Sequence, residues 1–407
     1  MRTTMATENN NKTLNVPNLR FPEFSKPYSQ TTISKLATIV GGGTPDTTVQ
    51  EYWNGGIQWF TPSEIGKNKY ADKSERTISQ EGLNNSSAKL LPINTILLST
   101  RATIGESSIA KEECCTNQGF QSLIANEEIV CYEYLYYLVA TLTKELIRKS
   151  CGSTFLEISA NEVRKIKTFI PNLEEQSKVS SLLSLIDERI DTQIKIIEDL
   201  KKLKSAISNK LFARKDLLEK QITISEIGTL KNGYAFQSST YNPAGSYKII
   251  TIANVSGERY IDIDSCNCIM RIPEDIQTHQ VLKQDDILIS LTGNVGRVSL
   301  CAEGNYLLNQ RVGLLQLKPG VNREYIYQAL SCRRYEQTMI SCGQGAAQMN
   351  IGKGDVEDYT IPYSANSLNL EVVASTLKTY DLLISVEVDR LRLFMQQKQY
   401  LLAQMFI

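Results

Sequence analysis

The longest regular pattern of apolar and polar positions runs from Glu174 to Phe212. This stretch contains neither glycine nor proline, and its apolar residues recur at steps of three and four, which is typical of an α-helix. At 1.5 Å per residue, such a helix would be about 60 Å long. Its apolar positions are Val179, Leu183, Ile186, Ile190, Ile194, Ile197, Leu200, Leu203, Ile207 and Leu211.

A second stretch of the same kind follows Pro362, with apolar residues at Val373, Leu377, Tyr380, Ile384, Val388, Leu391, Met395 and Leu402. A single helix cannot bury such a stripe alone, so we expect the two helices to pair, antiparallel if the halves of the chain are related by a pseudo-two-fold axis. In the alternative, each stripe packs on its own globular domain. The residues expected to pair the helices are Leu183, Ile186, Ile190 and Ile197 with Leu377, Tyr380, Ile384 and Leu391.

The remaining sequence consists of short β-like runs separated by glycine, asparagine and proline. Examples are Thr95 to Ser99 and Asp286 to Leu291, and a helix-like stretch follows each, over 132–148 and 323–339. Apolar and polar residues that alternate over a few positions favour a strand, whereas apolar residues that recur three or four positions apart favour a helix. Two mixed α/β domains of ordinary size are therefore expected.

An internal repeat relates the two halves of the chain. A shift of about 191 residues places Ile33-Ser34-Lys35-Leu36 on Ile224-Ser225-Glu226-Ile227, and Ile170-Pro171 on Ile361-Pro362. The expected fold is α+β, with two similar mixed α/β domains separated by two long helices that form an antiparallel coiled coil. The expected segments are a flexible N-terminal tail (1–28), a first domain (29–173), a first long helix (174–218), a second domain (219–363) and a second long helix (364–407).

Composition limits the chemistry that the chain can carry. The nine cysteines lack the paired spacing of a zinc site, and a single histidine, His279, disfavours a Ser-His-Asp triad. No Gly-x-Gly-x-x-Gly motif, complete P-loop or amino-methyltransferase tetrapeptide occurs. No catalytic residue, metal site or cofactor is expected. With no apolar run long enough for a membrane span and no signal peptide, a cytoplasmic location is expected.

The duplicated order of these segments resembles the DNA-specificity (S) subunit of type I restriction-modification systems. The resemblance covers roughly residues 28 to 407. It rests in the first copy on Ile33 to Leu36, Ile96 to Gly105, Asn117-Gln118, Ile170-Pro171, Glu175-Gln176 and the helix to Phe212. The second copy departs after Pro362, where Ser364 to Asn369 replace the Glu-Glu-Gln segment of the first copy. The start of the second long helix is therefore less well defined than its stripe.

The resemblance implies a non-catalytic subunit that recognises double-stranded DNA. Each globular part would be a target-recognition domain that reads one half of a bipartite site, and the helices would be the spacer between half-sites. Two methyltransferase subunits would dock on the assembly, and restriction/translocase subunits would join through the complex. Adenine-N6 methylation with S-adenosylmethionine and ATP-driven cleavage would belong to those partners.

The charge balance limits how the chain alone would bind DNA. Its 44 lysines and arginines match 44 acidic residues. Since DNA affinity depends on neutralising phosphates, we expect weak binding by the isolated chain and expect its partners to supply much of the phosphate contact.

Base recognition requires side chains with paired donors and acceptors, and loops between short strands are the expected carriers. The candidates in the first domain are Arg101, Thr103, Gln118 and Gln121, with Lys67 and Lys69 expected to contact phosphates. The candidates in the second domain are Thr292, Asn294, Arg297, Gln310, Arg311, Gln344, Gln348 and Asn350. An ordinary surface or turn-capping role remains the alternative for each of them.

Two other classes of protein remain open on the sequence alone. One is a coiled-coil adaptor whose duplicated domains bind protein and have no DNA role. The other is an enzyme whose site has no recognised motif, which the missing catalytic signatures disfavour.

Overall fold

The chain divides into two compact units, each built from parts that are distant in sequence. The computed structural model describes residues 15–151, 156–343 and 349–407. The first unit runs to Gln193 and includes Arg390–Ile407, and the second unit is Ile194–Asp389. Each unit therefore contains one globular domain and a part of each long helix.

The globular domain of the first unit combines a five-stranded sheet, a three-stranded sheet and a strand pair. Its strands are β1 (Ser29–Thr32), β2 (Ala37–Gly41), β3 (Trp53–Phe60), β4 (Tyr70–Ala71), β5 (Arg76–Ile78), β6 (Ile96–Leu98), β7 (Ser107–Ala110), β8 (Cys114–Thr116), β9 (Gln121–Ala125) and β10 (Lys167–Ile170). Its helices are α1 (Ile33–Leu36), α2 (Gln80–Asn84), α3 (Tyr132–Thr141), α4 (Thr143–Arg148) and α5 (Ala160–Lys165), and the long helix α6 (Leu173–Phe212) follows. The strand orders are β2-β9-β6-β7-β4, β5-β3-β8 and β1-β10.

The second unit repeats this order of elements. Its strands are β11 (Lys220–Thr223), β12 (Gly228–Asn232), β13 (Tyr247–Ile250), β14 (Asn267–Ile269), β15 (Val281–Leu282), β16 (Ile287–Ser290), β17 (Val298–Leu300), β18 (Tyr306–Leu308), β19 (Val312–Leu317) and β20 (Thr360–Tyr363). Its helices are α7 (Ile224–Ile227), α8 (Arg323–Leu330), α9 (Arg333–Cys342), α10 (Lys353–Glu357) and the long helix α11 (Ser367–Met405). The strand orders are β12-β19-β16-β17, β14-β13-β18-β15 and β11-β20.

The two domains share their main sheet and differ in the smaller one. In both, four antiparallel strands (β2-β9-β6-β7 or β12-β19-β16-β17) form the main sheet, and a strand pair joins the start of the domain to its end. The smaller sheet has three strands in the first domain and four in the second. The shared part is therefore a common scaffold, and the domains diverge beyond it.

The predicted short elements are confirmed with small differences in their bounds. The run Thr95 to Ser99 contains β6, and the run Asp286 to Leu291 contains β16. The expected helices over 132–148 and 323–339 are each broken into two, at Leu142 and at Ser331-Cys332. The fold class expected from the sequence is therefore present, with two similar α/β domains and two long helices.

Asparagine residues define where both long helices begin. The Asn172 side chain accepts a hydrogen bond from the backbone N–H of Glu175 at 2.9 Å, and Asn366 accepts one from Leu368 at 3.0 Å. A side-chain acceptor at this position satisfies an N–H that has no partner within the helix. The second helix thus begins at Ser367. The first ends at Phe212, before the predicted end at 218, because Leu218 leaves the helix and is buried in the core of the second domain.

The long helices pair antiparallel within the first unit. Asp187 of α6 forms an ion pair with Lys398 of α11 at 2.6 Å, and Arg189 lies over the ring of Phe394. Leu183 and Ile186 share one hydrophobic core with Leu401 and Met405. As residue numbers rise along α6, those of its contacts on α11 fall.

The same arrangement holds within the second unit. Lys204 of α6 contacts Asp381 of α11 at 2.5 Å, and Asn369, near the start of α11, binds the carbonyl of Leu217 at 3.0 Å, beyond the end of α6. The two helices also contribute to the core of the second domain, since Leu211 packs on the same cluster as Leu377. The sequence left open whether the long helices pair with each other or pack on the domains. In the structure they do both.

The N-terminal segment differs from the expected flexible tail. Residues 1–14 lie outside the described residues, but the segment from Asn15 to Tyr28 is packed. Arg20 makes two hydrogen bonds of 2.7 Å to the carboxylate of Glu175 on α6, and the N–H of Leu19 binds the carbonyl of Gln404 on α11. Glu175 is 1% exposed, so its buried charge requires the Arg20 guanidinium. This long-range pair could not be read from the polar composition of the segment.

Candidate nucleic-acid interface

In the first unit, two loops carry the candidate base-reading residues, and a backbone hydrogen bond holds them together. Arg101 and Thr103 lie in the loop between β6 and β7, and Gln118 lies between β8 and β9. The N–H of Thr100 binds the carbonyl of Gly119 at 2.9 Å, which joins the loops. Arg101 and Gln118 are exposed and Thr103 is half-buried. The loops therefore present a guanidinium and an amide on adjacent turns.

Each of these side chains already has a partner within the domain. The Nη2 atom of Arg101 lies 2.6 Å from the Glu157 carboxylate, and Thr103 donates to the Ser99 hydroxyl. The hydroxyl of Thr44 donates to Oε1 of Gln118, which leaves the amide nitrogen of Gln118 for another acceptor. Both members of the Arg101–Glu157 pair remain substantially exposed, so the pair is accessible to a third charged group.

A close approach of backbone supports the Gln118 loop. A Cβ atom on Gly42 would lie 2.0 Å from the carbonyl oxygen of Asn117, so no other residue fits at that position without movement. Gln121 begins β9 opposite Gly41 and is half-buried. Gln121 therefore lies at the start of an inner strand beside the loops, and its role in DNA contacts stays a prediction.

The two lysines predicted to contact phosphates differ in their surroundings. Lys67 is exposed in the segment before β4. The ammonium of Lys69 instead lies 2.8 Å from the Glu133 carboxylate and 2.7 Å from the Ser184 hydroxyl, and its side chain is 10% exposed. This position argues against a phosphate contact by Lys69, because its charge is already compensated inside the unit.

In the second unit, four of the candidate residues line one open cleft of about 700 Å³. The hydroxyl of Thr292 donates to Oδ1 of Asn350 at 2.7 Å, and the N–H of Leu291 binds the carbonyl of Arg311 at 3.1 Å. These bonds bring three loops to one place. The candidates in the cleft are Thr292, Gln310, Arg311 and Asn350, and Asn232, Gly233, Ile351, Gly352 and Lys353 are also part of its lining.

The cleft combines exposed cations and amides. Arg311, Gln310 and Asn350 are exposed, and Lys353 adds a second cation. A Cβ atom on Gly233 would lie 2.1 Å from the carbonyl oxygen of Asn309, so this glycine allows the loops to meet. Arginine, glutamine and asparagine are the side chains whose paired groups match the edges of guanine and adenine.

The remaining candidates of the second unit lie elsewhere. The Asn294 amide donates to the carbonyl of Ile252 at 3.0 Å and accepts from the Ser290 hydroxyl at 2.6 Å, so it stabilises the turn after β16. Arg297 is exposed beside Glu336 in a separate small pocket. Gln344 and Gln348 lie outside the described residues.

Sequence reasoning missed Lys353 as a residue of this cleft. In the sequence it lies between Gly352 and Gly354, and it is not among the predicted DNA contacts. In the structure it begins the short helix α10, directly after the segment that carries Asn350. The sequence signal for Lys353 was a basic residue in a glycine-rich turn, next to amide side chains that are able to contact bases.

The residues predicted to pair the helices lie on both units. In the first unit, Leu183 and Ile186 are buried and Ile190 and Leu391 are half-buried. In the second unit, Ile197, Leu377 and Ile384 are buried and Tyr380 is half-buried. Exposed apolar residues remain on the same helices, at Leu185, Leu393, Met395 and Tyr400 in the first unit and at Leu203, Leu382, Leu383 and Val386 in the second.

Among the described residues, some titratable groups have pKa values that are shifted by the structure around them. All nine cysteines are free thiols, and burial raises the pKa of Cys114 to about 12 and that of Cys115 to about 11, which keeps both protonated. Within residues 15–151, 156–343 and 349–407, no group of three or more His, Cys, Asp or Glu side chains is placed to hold a metal ion. In the same ranges, no helix is both long and apolar enough to cross a membrane.

Comparison with known proteins places both halves of the chain in one family. The family model described as type I restriction modification DNA specificity domain matches residues 26–202 and again residues 219–391. The two matches follow the internal repeat that the sequence shows.

Several specificity subunits are similar in sequence. The type I restriction enzyme MjaIX specificity subunit of Methanocaldococcus jannaschii is 37% identical over 182 residues, which cover 44% of this chain and 42% of that protein. The EcoR124I/EcoR124II specificity subunit of Escherichia coli is 29% identical over 163 residues, which cover 38% and 40%. These matches thus span about four tenths of each relative. The MjaVIII specificity subunit of M. jannaschii is 23% identical over 394 residues, which cover 91% of this chain and 89% of that protein.

Solved structures share the fold over nearly the whole chain. The S subunit of a type I restriction-modification system from M. genitalium has a TM-score of 0.58 at 16% identity and covers 96% of this chain and 99% of its own. A chain from a structural study of complex assembly and conformational transition of the type I R-M system also has a TM-score of 0.58 at 16% identity, and covers 94% and 98%. At such identities the likeness concerns the fold.

Proposed function

This chain belongs to the type I restriction modification DNA specificity family, and we propose that it is the DNA-recognition subunit of a type I restriction-modification complex. The duplicated family match carries this proposal, because two copies of one DNA specificity domain suit a target with two parts. The clustering of Thr292, Gln310, Arg311 and Asn350 in one cleft supports it.

Each globular domain would read one half of a bipartite site. In the second domain, Arg311 and Gln310 would contact base edges, and Lys353 would contact phosphate. In the first domain, Arg101 and Gln118 would have the corresponding role, with Lys67 at the DNA backbone. Lys69 and Asn294 are not retained as DNA contacts, since their polar groups are bound within the protein.

The helices would hold the half-sites apart and receive the methyltransferase subunits. Apolar side chains that remain exposed on them support docking, since Leu393 is 63% exposed in the first unit and Val386 is 54% exposed in the second. Contiguous apolar surface on a folded protein commonly marks a protein interface. The presence of exposed apolar side chains on the long helices in both units suits two copies of a methyltransferase subunit. Adenine-N6 methylation and ATP-driven cleavage would then belong to the partner subunits, and this chain would contribute no catalytic residue.

Co-expression with the methyltransferase subunit that accompanies this chain tests the proposal. Mapping of N6-methyladenine across the host genome should show a split motif with a fixed gap. The methyltransferase subunit expressed alone should leave those sites unmodified. Methylation that does not depend on this chain, or a single uninterrupted motif, would contradict the proposal.

A further inference from the structure

A buried group of charges joins the second domain to both long helices. Arg259 lies in the segment between β13 and β14, and its guanidinium makes two hydrogen bonds to Glu324 of α8, at 2.8 and 2.6 Å. The same guanidinium lies 3.2 Å from Asp381 of α11. The side chains of Arg259 and Asp381 are only 10% and 9% exposed.

Asp381 of α11 also connects helices α8 and α6. It accepts from the amide of Gln328 of α8 at 2.6 Å, and it pairs with Lys204 of α6 at 2.5 Å. We call these five residues the second charge cluster: Lys204, Arg259, Glu324, Gln328 and Asp381. Every member lies within the second unit.

The first unit contains a matching group. The Lys69 ammonium pairs with Glu133 of α3 at 2.8 Å and binds Ser184 of α6 at 2.7 Å. The hydroxyl of Tyr137 on α3 donates to Asp187 of α6 at 2.6 Å, and Asp187 pairs with Lys398 of α11. These residues form the first charge cluster: Lys69, Glu133, Tyr137, Ser184, Asp187 and Lys398.

The clusters occupy equivalent positions in the repeat. The carbonyls of Lys69 and Arg259 each accept a 2.7 Å hydrogen bond from the strand beside them, from Ile109 in β7 and Leu300 in β17. Glu133 and Glu324 are each the second residue of their helix. The duplication has therefore kept a cation of the domain, an acid on a domain helix, and an aspartate–lysine pair across the long helices.

The buried charges of the second charge cluster are stabilised only when their partners are held in a defined geometry. Burial by itself would raise the pKa of Glu324, but hydrogen bonds from Arg259 and Gln328 and the positive charge of Arg259 hold that pKa below its ordinary value. The carboxylate thus stays ionised and needs its partners in place. Apolar side chains tolerate sliding, whereas a guanidinium bonded by two atoms to one carboxylate and facing a second permits little rotation.

We propose that the two charge clusters are positioning devices, each of which sets the angle of its recognition domain on the helix pair and so enforces the gap between the half-sites. Base identity would depend on the loops, and gap length on the clusters. This proposal rests on the proposed function.

Variants at Arg259 test it in the complex with the methyltransferase subunit. The readout is genomic methylation at sites that carry both half-sites with the native gap or a gap one base pair longer or shorter. Arg259→Met removes the counter-charge that is bonded to Glu324 and leaves Asp381 with Lys204 alone, so the preference for the native gap should fall by about tenfold or more. The bases read in both half-sites should stay unchanged.

Matched variants separate positioning from general damage. Arg259→Lys keeps the charge without the two-atom contact, so it should retain more of the native gap preference than Arg259→Met and less than the wild type. Arg271→Met, which changes an exposed arginine of the same unit outside the cluster, should have no effect. Asp381→Asn, which has nearly the same shape, should weaken the gap preference in the same direction. Lys69→Met, which changes the cluster of the first unit, should also weaken the gap preference.

The outcomes are distinct. If Arg259→Met or Asp381→Asn folds and retains the native gap preference, the positioning proposal is overturned. It is also overturned if both variants fail to fold, because the cluster would then serve stability. If the wild-type complex makes no split motif, the proposed function itself fails.

Discussion

At the scale of single residues, the turns that hold a side chain determine whether it reaches the surface. Arg311 is exposed, and its own carbonyl accepts a hydrogen bond from the N–H of Leu291, which fixes the backbone of the loop. Asn294, also in a polar loop, points its amide inward to Ile252. Both residues looked equally suited to base contact in the sequence.

We expect Arg311→Ala to change the bases read in one half-site only. An arginine that makes two bonds to guanine contributes about 1–3 kcal/mol of discrimination, so its loss should relax one position by about tenfold. The methylated motif of the variant complex, mapped genome-wide, measures this. Arg271→Ala is the control, because Arg271 is an exposed arginine of the same unit outside the cleft lining. An unchanged motif would remove Arg311 from the base-reading residues.

At the scale of secondary-structure elements, the apolar stripes of the two long helices serve two kinds of packing. Leu183 is fully buried in a core that includes residues of the first domain and of both long helices. Leu185, two positions later on the same helix, is 58% exposed. The helical period explains this difference, since residues two apart lie on different faces.

Leu183→Ala and Leu185→Ala should therefore have very different effects on stability. Leu183→Ala opens a cavity in a packed core, so the free energy of unfolding of the first unit should fall by about 3 kcal/mol. Leu185→Ala should change it by less than about 0.5 kcal/mol. Urea denaturation followed by circular dichroism measures both. Equal effects would mean that the α6 face carrying Leu183 does not hold the unit together.

At the scale of the whole molecule, duplication is the feature that matters most. Each unit combines one domain with parts of both long helices, and the chain passes between the units within α6 and again within α11. The boundaries fall at Gln193 and Asp389, inside continuous helix. Under the proposed function, a change of length there would alter the distance between the half-sites while each domain keeps its own packing.

We expect a four-residue insertion of Glu-Ala-Ala-Lys after Gln193 and another after Asp389 to lengthen the gap of the methylated motif. Four helical residues add about 6 Å, which corresponds to one or two base pairs of DNA at about 3.4 Å each. The bases of both half-sites should stay the same. As a control, four exchanges on the exposed face of α6 without a change in length should leave the gap as it was. An insertion variant that keeps the original gap would mean that these helices do not set it.

Much of the fold follows from short-range patterns in the chain. The stripes that begin with Val179 and Val373 require long helices, because apolar residues three and four apart share a face. The repeat of Ile170-Pro171 at Ile361-Pro362 requires two similar domains. Periodicity and repetition are properties of the sequence itself, so they are visible without coordinates.

Other features depend on contacts between distant residues. The Arg20–Glu175 pair joins residues 155 apart, and nothing in the polar N-terminal segment indicates it. Lys67 and Lys69 are two positions apart in one polar stretch, yet only Lys69 reaches Glu133 and Ser184. The charge clusters consist of ordinary charged and polar residues, and their contacts form only when four segments of the chain meet.

The sequence by itself therefore determined that this chain is a duplicated pair of α/β domains with two long helices, since local periodicity and repetition suffice for that. Tertiary structure alone decided which polar side chains lie in the cleft of the second domain, such as Arg311. It also decided which polar side chains are bound inside the units, such as Lys69. The physical reason is that a buried charge needs a partner close in space, and that partner is selected by folding rather than by position along the chain.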